Sequence, residues 1–130
     1  MENIKLLIVD DEEEFAATLA ERLELRGFTS KAVSCGNNAL EALASNFSPD
    51  VVLLDLKMPD MNGIEVLTEI KKIYPSIEVI MLTGHGATSV GKDSKDHGAF
   101  DFIMKPVDII ELAGKIKSAY QKKMLNPETH

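Results

Sequence analysis

Short apolar runs alternate along this chain with segments in which apolar residues recur every three or four positions. Four of the runs have four to six residues, the length expected of strands buried in a parallel sheet. They are Ile4–Val9, Val51–Leu54, Val79–Leu82 and Phe100–Met104. A weaker run at Phe28–Val33 alternates apolar and polar residues, which predicts an edge strand or a less buried one.

The segments between the runs have the period of amphipathic helices. Their apolar stripes begin at Phe15, Ala39, Ile64 and Ile109. Gly27 is predicted to end the first helix as its C′ residue, Pro75 stops the third, and the last ends before Pro127. Strands that alternate with helices predict an α/β fold, a doubly wound five-stranded parallel sheet with helices on both faces.

The segment Thr88–His97 fits this alternation poorly. It stands where a further helix is expected, yet Val90 is its only strongly apolar residue and Gly91 lies in its middle. A helix that packs on a sheet needs an apolar stripe. We therefore predict a short, loosely held helix or a partly irregular segment.

The charge balance narrows the possible partners. The 130 residues include 14 Lys and Arg against 21 Asp and Glu, which gives a formal charge of −7. This acidic balance argues against binding to nucleic acid or to anionic membranes, because phosphate contacts need clusters of basic residues. The single cysteine, Cys35, cannot form an internal disulfide, and no Cys/His cluster suits zinc.

The length of the chain favours one domain, at residues 1–125, with a short tail at 126–130. Acidic residues follow the first apolar run too soon for a signal peptide. No apolar run approaches the length that spans a membrane. A cytoplasmic protein is expected.

Polar residues follow the predicted strands at their carboxyl ends. The first run ends in Asp10 and Asp11, the third strand in Asp55, the fourth in Thr83 and the fifth in Lys105. In open α/β sheets, ligands bind beyond the carboxyl ends of the strands where the strand order reverses. With the flavodoxin-like order 2-1-3-4-5, strands one and three are neighbours, so the three carboxylates should lie together with the hydroxyl and the ammonium beside them.

Three carboxylates in one crevice repel one another. Two unit charges 4 Å apart cost about 4 kcal/mol at an effective dielectric constant of 20. Either one group stays protonated or a cation lies among them. Oxygen ligands without His or Cys favour Mg²⁺, with Mn²⁺ as an alternative. The lone Lys105 and the hydroxyl of Thr83 would suit a phosphoryl group.

These residues, together with the segment DLKMPDMNG at 55–63, resemble a bacterial response-regulator receiver domain from about Ile4 to Tyr120. The resemblance implies that Asp55 is the phosphoacceptor of a two-component system. It also implies that Asp11 and Asp55 bind Mg²⁺ directly, Asp10 through water, and Lys57 through its backbone carbonyl.

Further roles follow from the same resemblance. Thr83 and Lys105 would contact the phosphoryl oxygens, and Phe102 would act with Thr83 as a conformational switch. The Lys105–Pro106 bond is usually cis in the family. The expected partners are a sensor histidine kinase or phosphotransfer protein and an output domain or protein. The chain would be a monomer or a phosphorylation-dependent dimer, and a phosphoacceptor with slow self-dephosphorylation rather than an enzyme.

Other interpretations compete with this one. Asp10 and Asp11 would also suit the start of a helix, and Phe102 would suit an ordinary core position. A haloacid-dehalogenase-like phosphatase would carry DxD after the first strand, where this chain has Asp10-Asp11-Glu12. A flavodoxin-like cofactor protein would need a Ser/Thr-rich loop there. Gly84-His85-Gly86 resembles part of a dinucleotide motif but follows the wrong strand.

Overall fold

A computed structural model describes residues 3–84 and 93–125 of the chain. The strands are β1 (Lys5–Val9), β2 (Thr29–Val33), β3 (Val51–Asp55), β4 (Glu78–Thr83) and β5 (Asp101–Met104). The helices of these residues are α1 (Glu13–Glu24), α2 (Gly36–Ala44), α3 (Gly63–Ile73) and α4 (Ile109–Met124).

The five strands form one parallel sheet in the order β2-β1-β3-β4-β5. The predicted α/β fold and strand order are therefore confirmed. Every residue of β3 and β4 is buried, which explains why these strands appear in the sequence as continuous apolar runs. Strand β2 lies at an edge and has no fully buried residue, which explains its weaker, alternating pattern.

The sheet separates two apolar clusters. Alternate strand residues such as Leu6 and Ile8 pack on one face with α1 and α4. Their neighbours Leu7 and Val9 pack on the other face with α2 and α3. Because both faces are covered by helices, polar side chains of the central strands reach solvent only at the ends of the strands.

The predicted stop signals agree with the observed helix ends. Gly27 has φ 95°, its N–H donates to Glu24 O at 3.0 Å, and the N–H of Phe28 donates to Leu23 O at 3.2 Å. This pattern is a Schellman motif with Gly27 as C′. Helix α3 ends at Ile73, two residues before Pro75. Pro127 lies outside the described residues.

Only part of the segment Thr88–His97 is described. Residues 88–92 lie outside the described residues, and residues 93–96 form one helical turn in which Ser94 is buried. The prediction of a loosely held helix thus stays a prediction, as does the domain boundary, because residues 126–130 also lie outside the described part. None of the described helices is long and apolar enough to cross a membrane.

Candidate functional site

Three carboxylates meet where β1 and β3 end. The two strands are hydrogen-bonded neighbours, with Val9 opposite Leu54, so the residues that follow come side by side. One ligand oxygen from each of Asp10, Asp11 and Asp55 lies within 4.8 Å of the others. Asp10 and Asp55 are buried, whereas Asp11 is exposed. The structure thus brings together the three acids that the sequence placed at one edge of the sheet.

Lys105 lies among these acids. Its Nζ is 2.8 Å from Oδ2 of Asp10 and 3.7 Å from Oδ1 of Asp55. It also lies 2.7 Å from Oε1 of Glu12 and 4.6 Å from the ring centroid of Phe15. Three carboxylates and an aromatic face therefore surround the ammonium.

The backbone fixes both ends of this arrangement. The N–H of Asp10 donates to Val33 O at 3.1 Å, and Oδ1 of Asp10 accepts from the N–H of Glu12 at 2.9 Å. The N–H of Lys105 donates to the carbonyl of Thr83 at 2.8 Å, and the Lys105–Pro106 peptide bond is cis. The hydrogen bonds hold Asp10 and the backbone of Lys105 in place at the ends of their strands.

The pKa values reflect the crowding of charge. Burial and the neighbouring Asp10 raise the pKa of Asp55 to about 6, against the lowering effects of Lys105 and of a hydrogen bond from the N–H of Lys57. Burial lowers the pKa of Lys105, but hydrogen bonds to Asp10 and Glu12 outweigh it and leave that pKa above its usual value. In the metal-free site the single ammonium of Lys105 therefore faces more carboxylates than it can neutralise.

A cleft of about 480 Å³ opens above the acids. Its lining residues are Asp11, Glu12, Asp55, Leu56, Lys57, Thr83, Gly84 and Lys105. Thr83 is buried at the end of β4, as the sequence predicted. The cleft places a carboxylate, a hydroxyl and an ammonium around one space.

Phe102 lies on β5, which β4 separates from the strand that carries Asp55. It is opposite Met81 in the β4–β5 register and packs, partly buried, against the cluster under α2 and α3. The ammonium of Lys95 is 5.9 Å from its ring centroid. These contacts are those of a core residue at the sheet edge, and its switch role with Thr83 stays a prediction. His85 lies outside the described residues.

The loop after Asp55 closes tightly on itself. The N–H of Leu56 donates to Leu82 O at 3.1 Å, and the N–H of Gly63 donates to Leu56 O at 2.7 Å. A Cβ at Gly63 would lie only 2.5 Å from the carbonyl oxygen of Asp55. Glycine at this position therefore allows α3 to begin directly beside the backbone of Asp55.

Two residues of this region were not predicted as part of the site. Glu12 directly follows Asp10 and Asp11 in the sequence, but its ion pair with Lys105 is visible only in the fold. Asp60 accepts hydrogen bonds from Gly36 and Asn37 across the top of α2. The sequence shows that Asp60 follows Pro59 directly, but it does not show that the partners of Asp60 lie more than twenty residues away.

The acidic cluster has the chemistry of a site for a hard divalent cation. The grouped ligand atoms are carboxylate oxygens, with no His or Cys among them in the described residues. One cation, Lys105, faces three acids. The pKa of Asp55 is raised by its burial and by the negative charge of Asp10. A divalent cation would relieve this imbalance, so the residues present fit Mg²⁺.

Comparisons with known proteins agree with this geometry. The profile of the response regulator receiver domain matches residues 6–117. The chain is 38% identical over 117 residues to sporulation initiation phosphotransferase F of Bacillus subtilis, which covers 90% of this chain and 94% of that protein. It is 34% identical over 124 residues to the regulatory protein AtoC of Escherichia coli, covering 95% of this chain but 27% of AtoC.

Other relatives show the same asymmetry in length. The DNA-binding transcriptional regulator NtrC of Proteus hauseri is 35% identical over 119 residues, covering 92% of this chain and 25% of NtrC. The chain therefore spans about a quarter of the length of these regulators.

Solved structures show the same fold. A receiver domain protein from Clostridium thermocellum superposes with a TM-score of 0.88 at 36% identity, covering 94% of this chain and 98% of that one. NtrX from Brucella abortus gives a TM-score of 0.91 at 29% identity, covering 98% of this chain and 29% of NtrX. By fold and family profile, the chain belongs to the response regulator receiver domains of two-component signalling.

Proposed function

We propose that Asp55 accepts a phosphoryl group, with Mg²⁺, from a sensor histidine kinase or a phosphotransfer protein. One observation carries this proposal: ligand oxygens of Asp10, Asp11 and Asp55 lie within 4.8 Å of one another, with the ammonium of Lys105 at 2.8 Å from Asp10 and 3.7 Å from Asp55. Such a cluster combines a nucleophile with the charges that neutralise a phosphoryl group.

The transfer is a substitution at phosphorus. A carboxylate oxygen of Asp55 forms the new P–O bond, while the P–N bond to the donor histidine breaks and its electron pair stays on the ring nitrogen. The transition state is loose, so the protein contributes position and charge more than covalent help. Lys105 would pair with one phosphoryl oxygen, and the hydroxyl of Thr83 would donate a hydrogen bond to another.

The carboxylates of Asp10, Asp11 and Asp55 and the backbone carbonyl of Lys57 would hold the cation, with Asp10 acting through water. Bound Mg²⁺ supplies the charge that offsets the negative phosphoryl oxygens during transfer. Mn²⁺ would serve as a substitute, because it accepts the same oxygen ligands.

The phosphorylated chain would then signal by a change of shape. Thr83 would move toward the phosphoryl group, and Phe102, on the neighbouring strand, would follow it. An output domain or a separate protein would receive this signal. The chain would stay a monomer or form a dimer on phosphorylation. Because several relatives are DNA-binding transcriptional regulators four times as long, a transcriptional output is one candidate.

The domain would act in the cytoplasm without contacting nucleic acid or membrane itself, given its formal charge of −7. It would turn over no substrate beyond slow loss of its own phosphoryl group.

The test uses a small phosphodonor, phosphoramidate, with Mg²⁺. Wild type should gain the mass of one phosphoryl group, and beryllofluoride with Mg²⁺ should shift the amide resonances around the cleft. Asp55→Asn should do neither, and EDTA should prevent both. Asp50→Asn is the matched control, since Asp50 lies at the opposite edge of the sheet, where its carboxylate accepts from the N–H of Lys5.

Two outcomes would contradict the proposal. One is a wild-type protein that gains no phosphoryl group and does not respond to beryllofluoride. The other is an Asp55→Asn protein that gains the same mass as wild type, which would move the acceptor to another residue.

A further inference from the structure

Asp60 bridges two parts of the chain that are far apart in sequence. It belongs to the loop between β3 and α3, and its carboxylate caps the start of α2. Oδ1 accepts from the N–H of Gly36 at 3.0 Å, and Oδ2 accepts from the N–H of Asn37 at 2.9 Å. These two donors hold the pKa of Asp60 below its usual value, so the group is ionised at neutral pH.

Helix α2 has no cap of its own. The residue at its N-cap, Cys35, makes no side-chain hydrogen bond to the first turn. The first backbone N–H groups of a helix need acceptors, and a negative charge there is favourable. Asp60 therefore supplies from another loop the acceptors that a local Ser, Thr, Asn or Asp would provide.

The same junction is closely packed. A Cβ at Gly36 would lie 2.9 Å from Cγ2 of Val66 and 3.0 Å from Sδ of Met61. Both neighbours belong to the β3–α3 loop or to α3, so the absence of a side chain at Gly36 allows that region to approach α2. The hydrogen bonds of Asp60 and this contact hold the outer part of the loop in place.

The inner part of the loop touches the proposed phosphoacceptor. Lys57 lines the cleft beside Asp55, and its backbone N–H lowers the pKa of that carboxyl group. The loop begins at Leu56, which is bonded to Leu82 O, and closes at Gly63, which is bonded to Leu56 O. Lys57 lies between these fixed ends and the tip held by Asp60, so movement of the tip would move the Lys57 backbone.

We infer that Asp60 is a positioning residue: by anchoring the β3–α3 loop to the start of α2, it fixes the backbone of Lys57 against Asp55 and so sets the affinity of the site for Mg²⁺. This inference rests on the proposed function for its metal. Residues that orient a ligand without touching the metal affect metal affinity about 10- to 100-fold. Asp60 holds a loop rather than a ligand side chain, so we expect the lower end of that range.

The test compares Asp60→Ala, Asp60→Asn and the matched control Asp50→Asn in the whole chain. NMR titration with Mg²⁺ gives the Kd, and phosphoramidate at saturating Mg²⁺ gives the rate. Asp60→Ala should weaken Mg²⁺ about tenfold while the rate at saturation stays within about twofold of wild type. Asp60→Asn keeps one acceptor oxygen and should recover part of the loss. Asp50→Asn should leave the Kd unchanged.

A second readout needs no metal. In the metal-free protein, the amides of Gly36 and Asn37 should exchange with solvent faster in Asp60→Ala than in wild type and Asp50→Asn, because their acceptors are gone. An unchanged Kd in Asp60→Ala would overturn the inference. An equal rise of the Kd in Asp50→Asn would also overturn it, since the effect would then follow stability rather than position.

Failure of the proposed function has a different signature. If wild type binds no Mg²⁺, the metal proposal fails and the affinity role of Asp60 fails with it. In that case the amide exchange of Gly36 and Asn37 still tests whether Asp60 anchors the loop. Unchanged exchange at these two amides in Asp60→Ala would overturn the anchoring as well.

Discussion

Asp55 lies in an environment that disfavours its negative charge. Burial and the charge of Asp10 raise its pKa from 3.8 to about 6. Between those values, the folded protein binds more protons than the unfolded chain. The free energy of unfolding of the metal-free protein should therefore fall as the pH rises from about 4 to about 6, and this contribution should be constant above that window.

Asp55→Asn should remove this contribution. At pH 7 we expect the metal-free variant to be more stable than wild type by about 1 kcal/mol, allowing for solvent screening in the cleft. Urea denaturation in EDTA at about pH 4 and pH 7 measures the difference. Asp50→Asn is the control and should gain nothing at pH 7, because Asp50 is paired with Lys123. An Asp55→Asn protein no more stable than wild type at pH 7 would refute this explanation.

Glu12 competes with Asp10 and Asp55 for the ammonium of Lys105. Its carboxylate lies 2.7 Å from Nζ of Lys105, and this contact lowers the pKa of Glu12. If a phosphoryl group binds Lys105 as proposed, it has to draw the ammonium away from Glu12. Glu12→Gln should therefore speed phosphorylation by phosphoramidate at saturating Mg²⁺, but only about two- to fivefold, since exposed ion pairs are weak.

The neighbouring Glu13 is an acid of α1 without a contact to Lys105 among the described ion pairs, so Glu13→Gln is the matched control. It removes the same charge from nearly the same place. Equal acceleration in both variants would show a general effect of charge, and a slower Glu12→Gln protein would show that the contact assists transfer.

The site acids were predictable from the sequence, whereas their supporting contacts were not. Asp10, Asp55 and Thr83 follow apolar runs directly, so the ends of strands could be located from periodicity alone. Glu12 and Asp60 are acids in polar surroundings, and their partners Lys105 and Gly36 are distant in sequence. Periodicity describes neighbours along the chain and contains no information on such pairs.

At the scale of elements, two glycines differ in the space around the position where a Cβ would lie. A Cβ at Gly63 would lie 2.5 Å from Asp55 O and 2.8 Å from Leu56 Cα, both backbone atoms that cannot rotate away. Gly114, within α4, has nothing within 4 Å of its Cβ position. The same substitution should therefore have opposite effects at the two sites.

Gly63→Ala should destabilise the fold by about 2 kcal/mol or more and weaken Mg²⁺ binding, because α3 must move away from Asp55. Gly114→Ala should stabilise it by about 0.5–1 kcal/mol, since alanine is the better helix former in open space. Thermal unfolding and Mg²⁺ titration of both variants measure these effects. A tolerated Gly63→Ala with unchanged Mg²⁺ affinity would contradict the close approach of α3 to the site.

The predicted elements agree best with the structure where burial is complete. Strands β3 and β4 are buried throughout, and their apolar runs predicted them to within a residue or two. The start of α2 was harder to recognise, since its first turn is capped by Asp60 rather than by a residue beside it. The strand order was tied to the flavodoxin-like comparison, because periodicity shows which segments are strands but not which are neighbours.

At the scale of the whole molecule, the carboxyl and amino ends of the strands differ in their electrostatics. The carboxyl ends carry an excess of acidic groups around Lys105. At the opposite edge, Lys123 pairs with Asp50 at 2.5 Å, while Lys122 and Lys71 lie 3.6 and 3.8 Å from the buried Glu78. The pairs of Lys122 and Lys123 tie the last turn of α4 to the starts of β4 and β3, and the pair of Lys71 ties the end of α3 to β4.

Lys123→Met should therefore lower the free energy of unfolding by about 1 kcal/mol without changing the Kd for Mg²⁺. Urea denaturation and NMR titration test the two statements separately. Lys57→Met, an exposed lysine side chain at the other edge, is the control and should leave the stability near that of wild type. A change of Mg²⁺ affinity in Lys123→Met would show that the two edges are coupled.

The course of α4 has a practical consequence. This helix starts beside the cleft and ends at the far edge of the sheet, and a five-residue strand is about 17 Å long. A tether joined beyond Leu125 would therefore start well away from Asp55. Protein immobilised on a sensor chip through that end would present the cleft around Asp55 to the solution, which suits capture experiments with the proposed phosphodonors.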